Sequence, residues 1–408
     1  MGFNPSGAGG IAGASDVAFS TLQNDQVLTY DTPSAKWQNQ NSSSGSTSQT
    51  GGRTLESFSG GSDDAKLGAA MAYCNAQDYP PPILLLENRV YGPFTTQRTL
   101  YSGFKLLGGP AFSNQYRGAL SVPQRVDVQT SGPWLVLPSG NTFDVEIARL
   151  SFYSQSSNSE FMGNPNTGVL WTSCIRDVGF SLFKHVLGSP TNKLLLTACL
   201  FDGWWNINNS RNVSMTMGGS DNILWVGSQC LLDTPTSISS GGSVPYHLWL
   251  DYMEKTTIGQ MFITGEQIPA AVRVTGSATT GGLIFSGTRM EGRNSGAPSY
   301  GSVVRVEGGH VTFRDCWISY GYANPGSSGR SNEGGVVSVL GGRVLFDACF
   351  YSRAVAETVP WLYASGGSTQ IRVRNAQVAH DGGSFTGLPR VRAVNGADAN
   401  VDDTVTLI

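Results

Sequence analysis

The sequence has 408 residues, enough for two or three compact domains or for one long solenoid with small appendages. Charged residues make up 13% and there are 52 glycines, so the composition favours β structure with many tight turns and a surface of hydroxyl and amide groups. The net charge of -3 is spread along the chain without a cluster of Lys and Arg, and no apolar run approaches the roughly 18 residues of a membrane span. We therefore expect neither nucleic-acid binding nor membrane insertion.

The amino-terminal part of the chain differs in composition from the rest. Residues 1–52 contain little aliphatic material, and residues 41–52 form a Ser/Gly tract typical of a flexible linker. Within the preceding arm, the segment QVLTY leads into the turn DTPSAK, and Trp37 follows that turn. This order predicts a short β-hairpin.

The stretch SDVAFSTLQNDQVLTYDTPSAKWQN, which contains this hairpin, resembles a motif that recurs in minor tail proteins of actinobacteriophages. The resemblance implies an arm that attaches the protein to other phage tail or baseplate proteins. A segment this short, with few apolar residues, cannot form a core alone. We therefore expect it to pack against neighbouring subunits or the virion.

One helix is predicted from the segment SDDAKLGAAMAYCNA. Ser62 is a suitable N-cap, two aspartates follow in the first turn, and apolar residues recur at helical spacing. Those apolar residues are Leu67, Ala70, Met71 and Cys74. Two short apolar runs, ILLLENRVYGP and FKLLGG, follow as predicted strands. A helix entering strands in this way resembles the cap of pectate-lyase-like β-helices, which implies that it covers the open end of a solenoid.

From residue 145 onward one pattern recurs, in which an apolar anchor is followed by apolar residues three and five positions later. The anchors are spaced by 28, 21, 62, 27, 28, 33 and 27 residues, and the interval of 62 fits two coils with a weak one around Cys230. The anchors are Ile147, Ile175, Leu196, Ile258, Phe285, Phe313, Phe346 and Val373. A regular strand places apolar residues only at even spacings, so the jump of three predicts a corner between two strands.

The predicted corner lies two residues after each anchor. Half of the residues there are Gly, Asn or Asp, which tolerate the left-handed backbone conformation. In chain order they are Arg149, Asp177, Ala198, Gln260, Gly287, Asp315, Ala348 and Asn375. This pattern resembles the one-residue corner of right-handed β-helices. Helical repeats can have a similar period, but the abundance of Val, Ile, Phe and Gly argues against them.

These features together predict an all-β protein, a right-handed single-stranded parallel β-helix with an N-terminal capping helix and a small N-terminal attachment arm. The expected segments are the arm at 1–40, the linker at 41–52, the capping helix and first strands at 53–110, the parallel β-helix at 111–380 and a C-terminal segment at 381–408.

Cysteine, aspartate and histidine can all be reactive, but here we expect them to have structural roles. Cys199, Cys316 and Cys349 share the inward position three after the anchor, so we expect a stack of buried, inert thiols. Asp177 and Asp315 occupy corners, where a short polar side chain bonds the local backbone. The cysteines lack the spacing of a metal site, and we expect no metal and no cofactor. The histidines, expected in surface or loop positions, are His185, His247, His310 and His380.

The position four after the anchor faces outward and carries a row of large side chains. On successive coils it holds Phe262, Arg289, Trp317 and Phe350. Adjacent coils lie only ~4.8 Å apart, so these residues are expected to form one continuous stripe that marks a binding surface. Two partners compete for it: other copies of the chain in a homotrimer, or the planar faces of a glycan.

Four carboxylates are weak candidates for catalysis. Glu266 and Glu291 follow the outward strand on neighbouring coils, and Asp251 and Glu254 lie just upstream. Glycosidases use carboxylate pairs ~5 to 10 Å apart, but nothing in the sequence fixes that geometry here. No calcium-binding carboxylates with a basic proton abstractor, as a lyase needs, are recognisable.

As a whole the chain resembles bacteriophage tailspikes and tail fibres. The resemblance implies a structural protein of the virion that recognises a bacterial cell-surface glycan, and we expect no enzymatic activity. The alternative is a polysaccharide depolymerase, a glycoside hydrolase or lyase on the same fold. A secreted bacterial carbohydrate-active enzyme is a third possibility, which the lack of a recognisable signal peptide disfavours.

Overall fold

The computed structural model describes residues 17–18, 26–31, 36–41, 51–109, 124–208, 215–220, 222–232, 246–265, 270–276, 282–292, 303–320, 337–353, 362–380, 391–401 and 406–407. The chain divides into two compact units, Met1–Arg53 and Thr54–Ile408.

The first unit contains a three-stranded sheet in the order β1-β3-β2. Its strands are β1 (Val17–Ala18), β2 (Gln26–Asp31) and β3 (Lys36–Asn41). Strands β2 and β3 are antiparallel, with Tyr30 opposite Trp37, whereas β1 pairs with β3 in parallel. The predicted hairpin is therefore confirmed.

The rest of the chain is built of short strands, with one 3-10 turn at Leu55–Ser57 and one helix, α1 (Asp63–Asn75), among the described residues. The strands are β4 (Arg53–Thr54), β5 (Ile83–Leu85), β6 (Val90–Phe94), β7 (Arg98–Thr99), β8 (Lys105–Gly108), β9 (Arg125–Val128), β10 (Pro133–Val136), β11 (Asn141–Phe143), β12 (Glu146–Ser154), β13 (Glu160–Gly163), β14 (Val169–Trp171), β15 (Cys174–Ser181), β16 (His185–Leu187), β17 (Leu195–Thr197), β18 (Leu200–Asn208), β19 (Met215–Gly218), β20 (Leu224–Leu232), β21 (Tyr246–Asp251), β22 (Thr256–Gly265), β23 (Ala270–Thr275), β24 (Leu283–Ser286), β25 (Arg289–Gly292), β26 (Val304–Val306), β27 (His310–Arg314), β28 (Trp317–Tyr320), β29 (Val337–Val339), β30 (Arg343–Asp347), β31 (Phe350–Arg353), β32 (Leu362–Ser365), β33 (Gln370–Arg374), β34 (Gln377–His380), β35 (Val391–Val394), β36 (Asp398–Val401) and β37 (Thr406–Leu407).

These strands stack into a right-handed parallel β-helix, so the predicted fold is confirmed. Each later coil crosses three faces in turn: sheet 1 before the corner, sheet 2 after it, and sheet 3. Sheet 3 consists of β7, β10, β13, β16, β19, β21, β23, β26, β29, β32 and β35. Five longer strands, β12, β15, β18, β20 and β22, bend from sheet 1 into sheet 2, and from β24 onward separate strands serve the two sheets. A minor sheet of β11, β14 and β17 adds a face to the early coils.

The corner residues carry the backbone conformation that the pattern predicts. All eight predicted corners have a positive φ, between 51° and 60°. Such values place the backbone in the left-handed region, where a side chain with a Cβ costs about 1–2 kcal/mol. Neighbouring coils are hydrogen-bonded at this point, as where the Asp315 amide donates to the Asp347 carbonyl at 3.0 Å.

The interior of the solenoid is made of columns of stacked side chains. The anchor column contains Leu106, Ile147, Ile175, Phe201, Trp225, Ile258, Phe285, Phe313, Phe346 and Val373, all at most 1% exposed. Phe285, Phe313 and Phe346 stack nearly parallel, with ring centroids 5.1 and 5.0 Å apart. Trp225 supplies the predicted weak coil between residues 196 and 258.

The prediction that Leu196 is an anchor was wrong, because the anchor of that coil lies on the next strand. Leu196 lies in the minor sheet, whereas Phe201 stands opposite Ile175 in sheet 1 and is the true anchor. Ala198 is a left-handed corner, but between β17 and β18, and the sheet 1 to sheet 2 corner of that coil is Gly203 with φ 69°. The minor sheet introduces a second corner with the same local spacing, and the sequence pattern does not distinguish it from the corner between sheets 1 and 2.

Because Ala198 is not the corner between sheets 1 and 2, Cys199 does not lie in one column with Cys316 and Cys349. Cys316 and Cys349 each follow their corner directly and lie on successive coils, whereas Cys199 precedes β18 in a different column. All three are buried and free, as predicted for inert thiols. Burial raises the pKa of Cys199 to about 11, which keeps this thiol protonated near neutral pH.

Helix α1 forms as predicted and closes one end of the core. The Ala65 amide donates to the Ser62 hydroxyl at 3.2 Å, which caps the helix. Leu67, Ala70, Met71 and Cys74 are its buried apolar residues and belong to the solenoid core.

The first turn of α1 is tied to the strands beside it by its two aspartates. Asp63 accepts hydrogen bonds from Arg89 at 2.6 Å and from the Gly92 amide at 2.9 Å, and Asp64 accepts one from Arg98 at 2.9 Å. Burial acts to raise the pKa of Asp63, but the bonds from Arg89 and Gly92 outweigh it and hold that pKa below its ordinary value. Both carboxylates therefore stay ionised and hold the cap in place.

Stacked strands extend beyond residues 111–380 at both ends. Strands β5 and β8 stack in register with β12, so coils are already present within residues 53–110, where the first strands are expected. Strands β35, β36 and β37 continue the three sheets into the described part of residues 381–408. The sequence pattern does not reveal this last coil, because Ala399 occupies the inward position that Ile371 fills one coil earlier.

The left-handed corner can be tested at Asp315. Asp315→Asn should leave the melting temperature unchanged, because asparagine also adopts this conformation readily. Asp315→Val should lower the free energy of unfolding by about 1–2 kcal/mol, because a β-branched side chain is strained there. Thermal and urea denaturation followed by circular dichroism would measure both, and equal stability of the two variants would contradict the strain argument.

Candidate functional site

The site centres on a row of four outward side chains on sheet 2, here called the ladder: Phe262, Arg289, Trp317 and Phe350. They lie in direct register on β22, β25, β28 and β31. On each strand the next residue, for example Met290 or Ile318, points into the core, so strand alternation forces the ladder outward. The structure thus brings the four sequence candidates together on one face.

The ladder side chains contact one another along the stack. The Arg289 guanidinium lies 4.9 Å from the Phe262 ring centroid and 4.8 Å from that of Trp317. The rings of Trp317 and Phe350 meet edge to face at 4.7 Å. Trp317 is 42% exposed, whereas the core tryptophans Trp134, Trp205 and Trp225 are fully buried.

Glu291 lies on the same strand as Arg289, two residues further along. Its Oε2 is 3.6 Å from the Arg289 Nη2, beyond hydrogen-bonding distance. The Glu291 side chain is only 13% exposed, whereas that of Arg289 is 47% exposed. The ladder therefore presents a cation flanked by aromatic rings, with one shielded carboxylate beside it.

The three described candidate carboxylates, Asp251, Glu254 and Glu291, do not form one constellation. Asp251 lies on sheet 3, is 7% exposed, forms an ion pair with Lys193 and accepts a hydrogen bond from Thr275 at 2.6 Å. Glu254 lies in the turn between β21 and β22, while Glu291 belongs to sheet 2. The remaining candidate, Glu266, lies outside the described residues.

A second outward patch, on sheet 3, was not predicted. Trp249, Arg273 and Arg305 lie in register on three neighbouring strands, and the Arg273 guanidinium covers the Trp249 ring at 4.5 Å. Glu307 accepts hydrogen bonds from Arg273 at 2.8 Å and from Arg305 at 2.5 Å. The segments VRVTG and VRVEG carry the two arginines at the same place, a repeat that could have indicated the patch.

Burial acts to raise the pKa of Glu307, but the hydrogen bonds from Arg273 and Arg305 outweigh it and hold that pKa below its ordinary value of 4.5. At neutral pH the carboxylate is ionised and both arginines are satisfied by it. The patch is therefore a closed ion network that joins two neighbouring coils, and the Arg273–Trp249 ring contact links it to a third.

The histidines lie in different environments in the described part of the chain. His185 was expected at the surface or in a loop, but it is 3% exposed in β16, so that expectation was wrong. His310 is half-buried, and the side chains of His247 and His380 lie outside the described residues.

Within the described ranges no group of three or more His, Cys, Asp or Glu side chains could hold a metal ion. No described helix is long and apolar enough to cross a membrane.

The sequence matches no known protein family and no curated protein. Among solved structures, the chain is similar to DFA-IIIase from Arthrobacter chlorophenolicus A6 in complex with GF2, with 11% identity, a TM-score of 0.51, and coverage of 86% of this chain and 92% of that one. It is also similar to the Acinetobacter phage vB_ApiP_P1 tailspike protein, with 10% identity and a TM-score of 0.47, covering 94% of this chain and 63% of that one. The A-module of the Azotobacter vinelandii mannuronan C-5 epimerase AlgE4 gives 12% identity and a TM-score of 0.36, with coverage of 87% and 99%.

At such identities the similarity is one of fold. The fold and the site define the class of protein, a right-handed parallel β-helix with an exposed aromatic and arginine ladder on one face.

The closed network on sheet 3 can be tested at Glu307. Glu307→Gln should lower the free energy of unfolding at pH 7 by about 1 kcal/mol, because two partly buried arginines lose their shared carboxylate. Since the folded-state pKa is lowered, this contribution is fully present above pH 4.5 and is lost as the pH falls through the lowered value. Denaturation at a series of pH values from 7 downward would show it, and a difference that did not shrink at any pH below 4.5 would contradict the assignment.

Proposed function

We propose that the protein is a structural component of a bacteriophage tail, a tail fibre or tailspike, which recognises a glycan on the bacterial surface with the ladder on sheet 2. The observation that carries the proposal is the exposure of Trp317 at 42%, in register with an arginine and two further aromatic rings. An exposed aromatic side chain that is continuous with further large side chains forms a patch, and such a patch favours a binding partner, whereas a single exposed ring does not.

The chemistry of the ladder fits a sugar better than a dry protein interface. Aromatic rings pack against the apolar C–H faces of sugars, while the guanidinium can donate several hydrogen bonds to sugar oxygens. Arg289 sits at the centre of the row, where an apolar protein interface would have to desolvate its charge. Side chains repeated at the spacing of the coils also suit an extended, repetitive ligand.

Recognition without cleavage is the activity we favour. Of the described candidate carboxylates, Asp251 is already held by Lys193 and Thr275, and Glu291 lies on a different sheet. Acid and base catalysis of glycoside cleavage needs two carboxylates on either side of one bond.

The assembly we propose is a homotrimer of parallel solenoids, joined to the tail through residues 1–52 and located in the virion. An uncharged outward row on sheet 1 supports self-association, because it crosses five coils in register and includes Leu224, which is 44% exposed. The row consists of Leu224, Thr257, Ile284, Thr312 and Leu345. Burying it between copies leaves the ladder on sheet 2 available for the glycan.

Trp317→Ala tests the glycan-binding role. This variant should keep the melting temperature of the wild type and weaken glycan binding by about 2–4 kcal/mol, because an anchoring aromatic residue is lost. A bacterial glycan array followed by calorimetry on the best ligand would measure it. Tyr252→Ala, which removes an aromatic side chain that is 53% exposed away from the ladder, is the matched control and should bind normally.

Thr312→Glu tests the trimer. The wild type should give a mass of three chains by light scattering at micromolar concentration, and a carboxylate in the middle of the uncharged row should shift the mass towards one chain. Trp317→Ala should remain trimeric. A monomeric wild type, or a trimer lost in Trp317→Ala but kept in Thr312→Glu, would argue against this interface.

A further inference from the structure

Most of the described arginines of the solenoid form close ion pairs with carboxylates, and Arg289 does not. Seven other arginines each hold a carboxylate oxygen at 2.5 to 3.0 Å. They are Arg89, Arg98, Arg125, Arg176, Arg273, Arg305 and Arg374. By contrast, the nearest described carboxylate oxygen to Arg289 is 3.6 Å away, on Glu291, and no described residue accepts a hydrogen bond from it.

Two aromatic rings on the flanking strands nonetheless contact the Arg289 guanidinium. Its central carbon lies 4.9 Å from the Phe262 ring centroid and 4.8 Å from that of Trp317. Stacking restricts the orientation of the group without using its N–H donors, which lie in its plane. The result is an ordered fork of donors on a side chain that is 47% exposed.

We propose that the ladder binds an acidic glycan and that Arg289 recognises the carboxylate of a hexuronic acid in it. This inference rests on the proposed glycan-binding function and names its ligand class. A carboxylate matches the guanidinium fork with two parallel N–H···O bonds, and such charge-assisted pairs are about twice as strong as neutral ones. The exposed Trp317 ring then offers the neighbouring sugar an apolar contact.

Glu291 does not block such a ligand. Its carboxylate is shielded and not hydrogen-bonded to the guanidinium, so it leaves the in-plane donors available. One guanidinium in this chain already serves several carboxylates, because Arg89 bonds Glu56, Asp63 and Glu87 together. A ligand carboxylate can therefore join Glu291 on Arg289.

The test is a glycan array in which each uronic acid-bearing glycan is paired with its carboxyl-reduced neutral form, with phosphate-bearing glycans alongside. The full-length wild type should bind a uronic acid-bearing glycan about 10-fold or more tightly than its reduced form, and this preference should weaken as NaCl is raised. Arg289→Gln should bind both forms equally, and Arg289→Lys should keep part of the preference, because a point charge lacks the fork. Arg372→Gln removes an exposed arginine on sheet 1 that lies in register with Leu345, at the end of the uncharged row. It is the matched control for a lost charge, and it should keep both the wild-type mass by light scattering and the wild-type preference for acidic glycans.

The outcomes separate the two proposals. Equal wild-type binding to acidic and reduced glycans, still weakened by Trp317→Ala, would overturn the acidic ligand and leave the glycan-binding function standing. A preference that survives in Arg289→Gln, or binding through Arg289 to phosphate-bearing glycans alone, would overturn the carboxylate assignment. Absence of binding to every glycan would overturn the proposed function and this inference together.

Discussion

In-register stacking of the coils depends on the one left-handed residue found in eight of the described turns from sheet 1 to sheet 2. At this residue φ is close to 55° in Gln260, Asp315 and Ala348 alike, although their side chains differ in size and polarity. Each such residue with a Cβ opposes folding by about 1–2 kcal/mol, which the hydrogen bonds and buried columns of the adjoining strands must offset. The corner thereby fixes which side chains face inward on every coil and which face solvent.

The candidate site is a direct consequence of that register. Parallel coils repeat at ~4.8 Å, a spacing that suits stacked planar groups. The Arg289 guanidinium therefore fits between Phe262 and Trp317 without displacing either strand, in the same way that Phe285, Phe313 and Phe346 stack inside the core. One backbone repeat produces an apolar stack on the inner surface and a mixed stack on the outer one.

Features set by local spacing could be predicted from the sequence, and features set by contacts between distant segments could not. The α1 cap, the left-handed corners and the outward ladder follow from residues a few positions apart. Leu196 was misplaced because the minor sheet adds a corner with the same local pattern. The closed network of Arg273, Arg305 and Glu307 joins strands on neighbouring coils, and no pattern within one coil specifies which outward charges will meet.

The two outward patches show why composition alone does not identify a binding surface. Each contains tryptophan and arginine in register on neighbouring strands, with a glutamate two residues after an arginine on the same segment. On sheet 3 the Glu307 carboxylate satisfies both arginines, so a ligand would have to break existing ion pairs to bind there. On sheet 2 the 3.6 Å gap between Arg289 and Glu291 leaves the donors of the guanidinium unused by any described residue, while the two rings have already restricted its orientation. A cation whose ion pair is long and not hydrogen-bonded costs less to engage than one held in close ion pairs, which is why we propose recognition for the ladder and stability for the network.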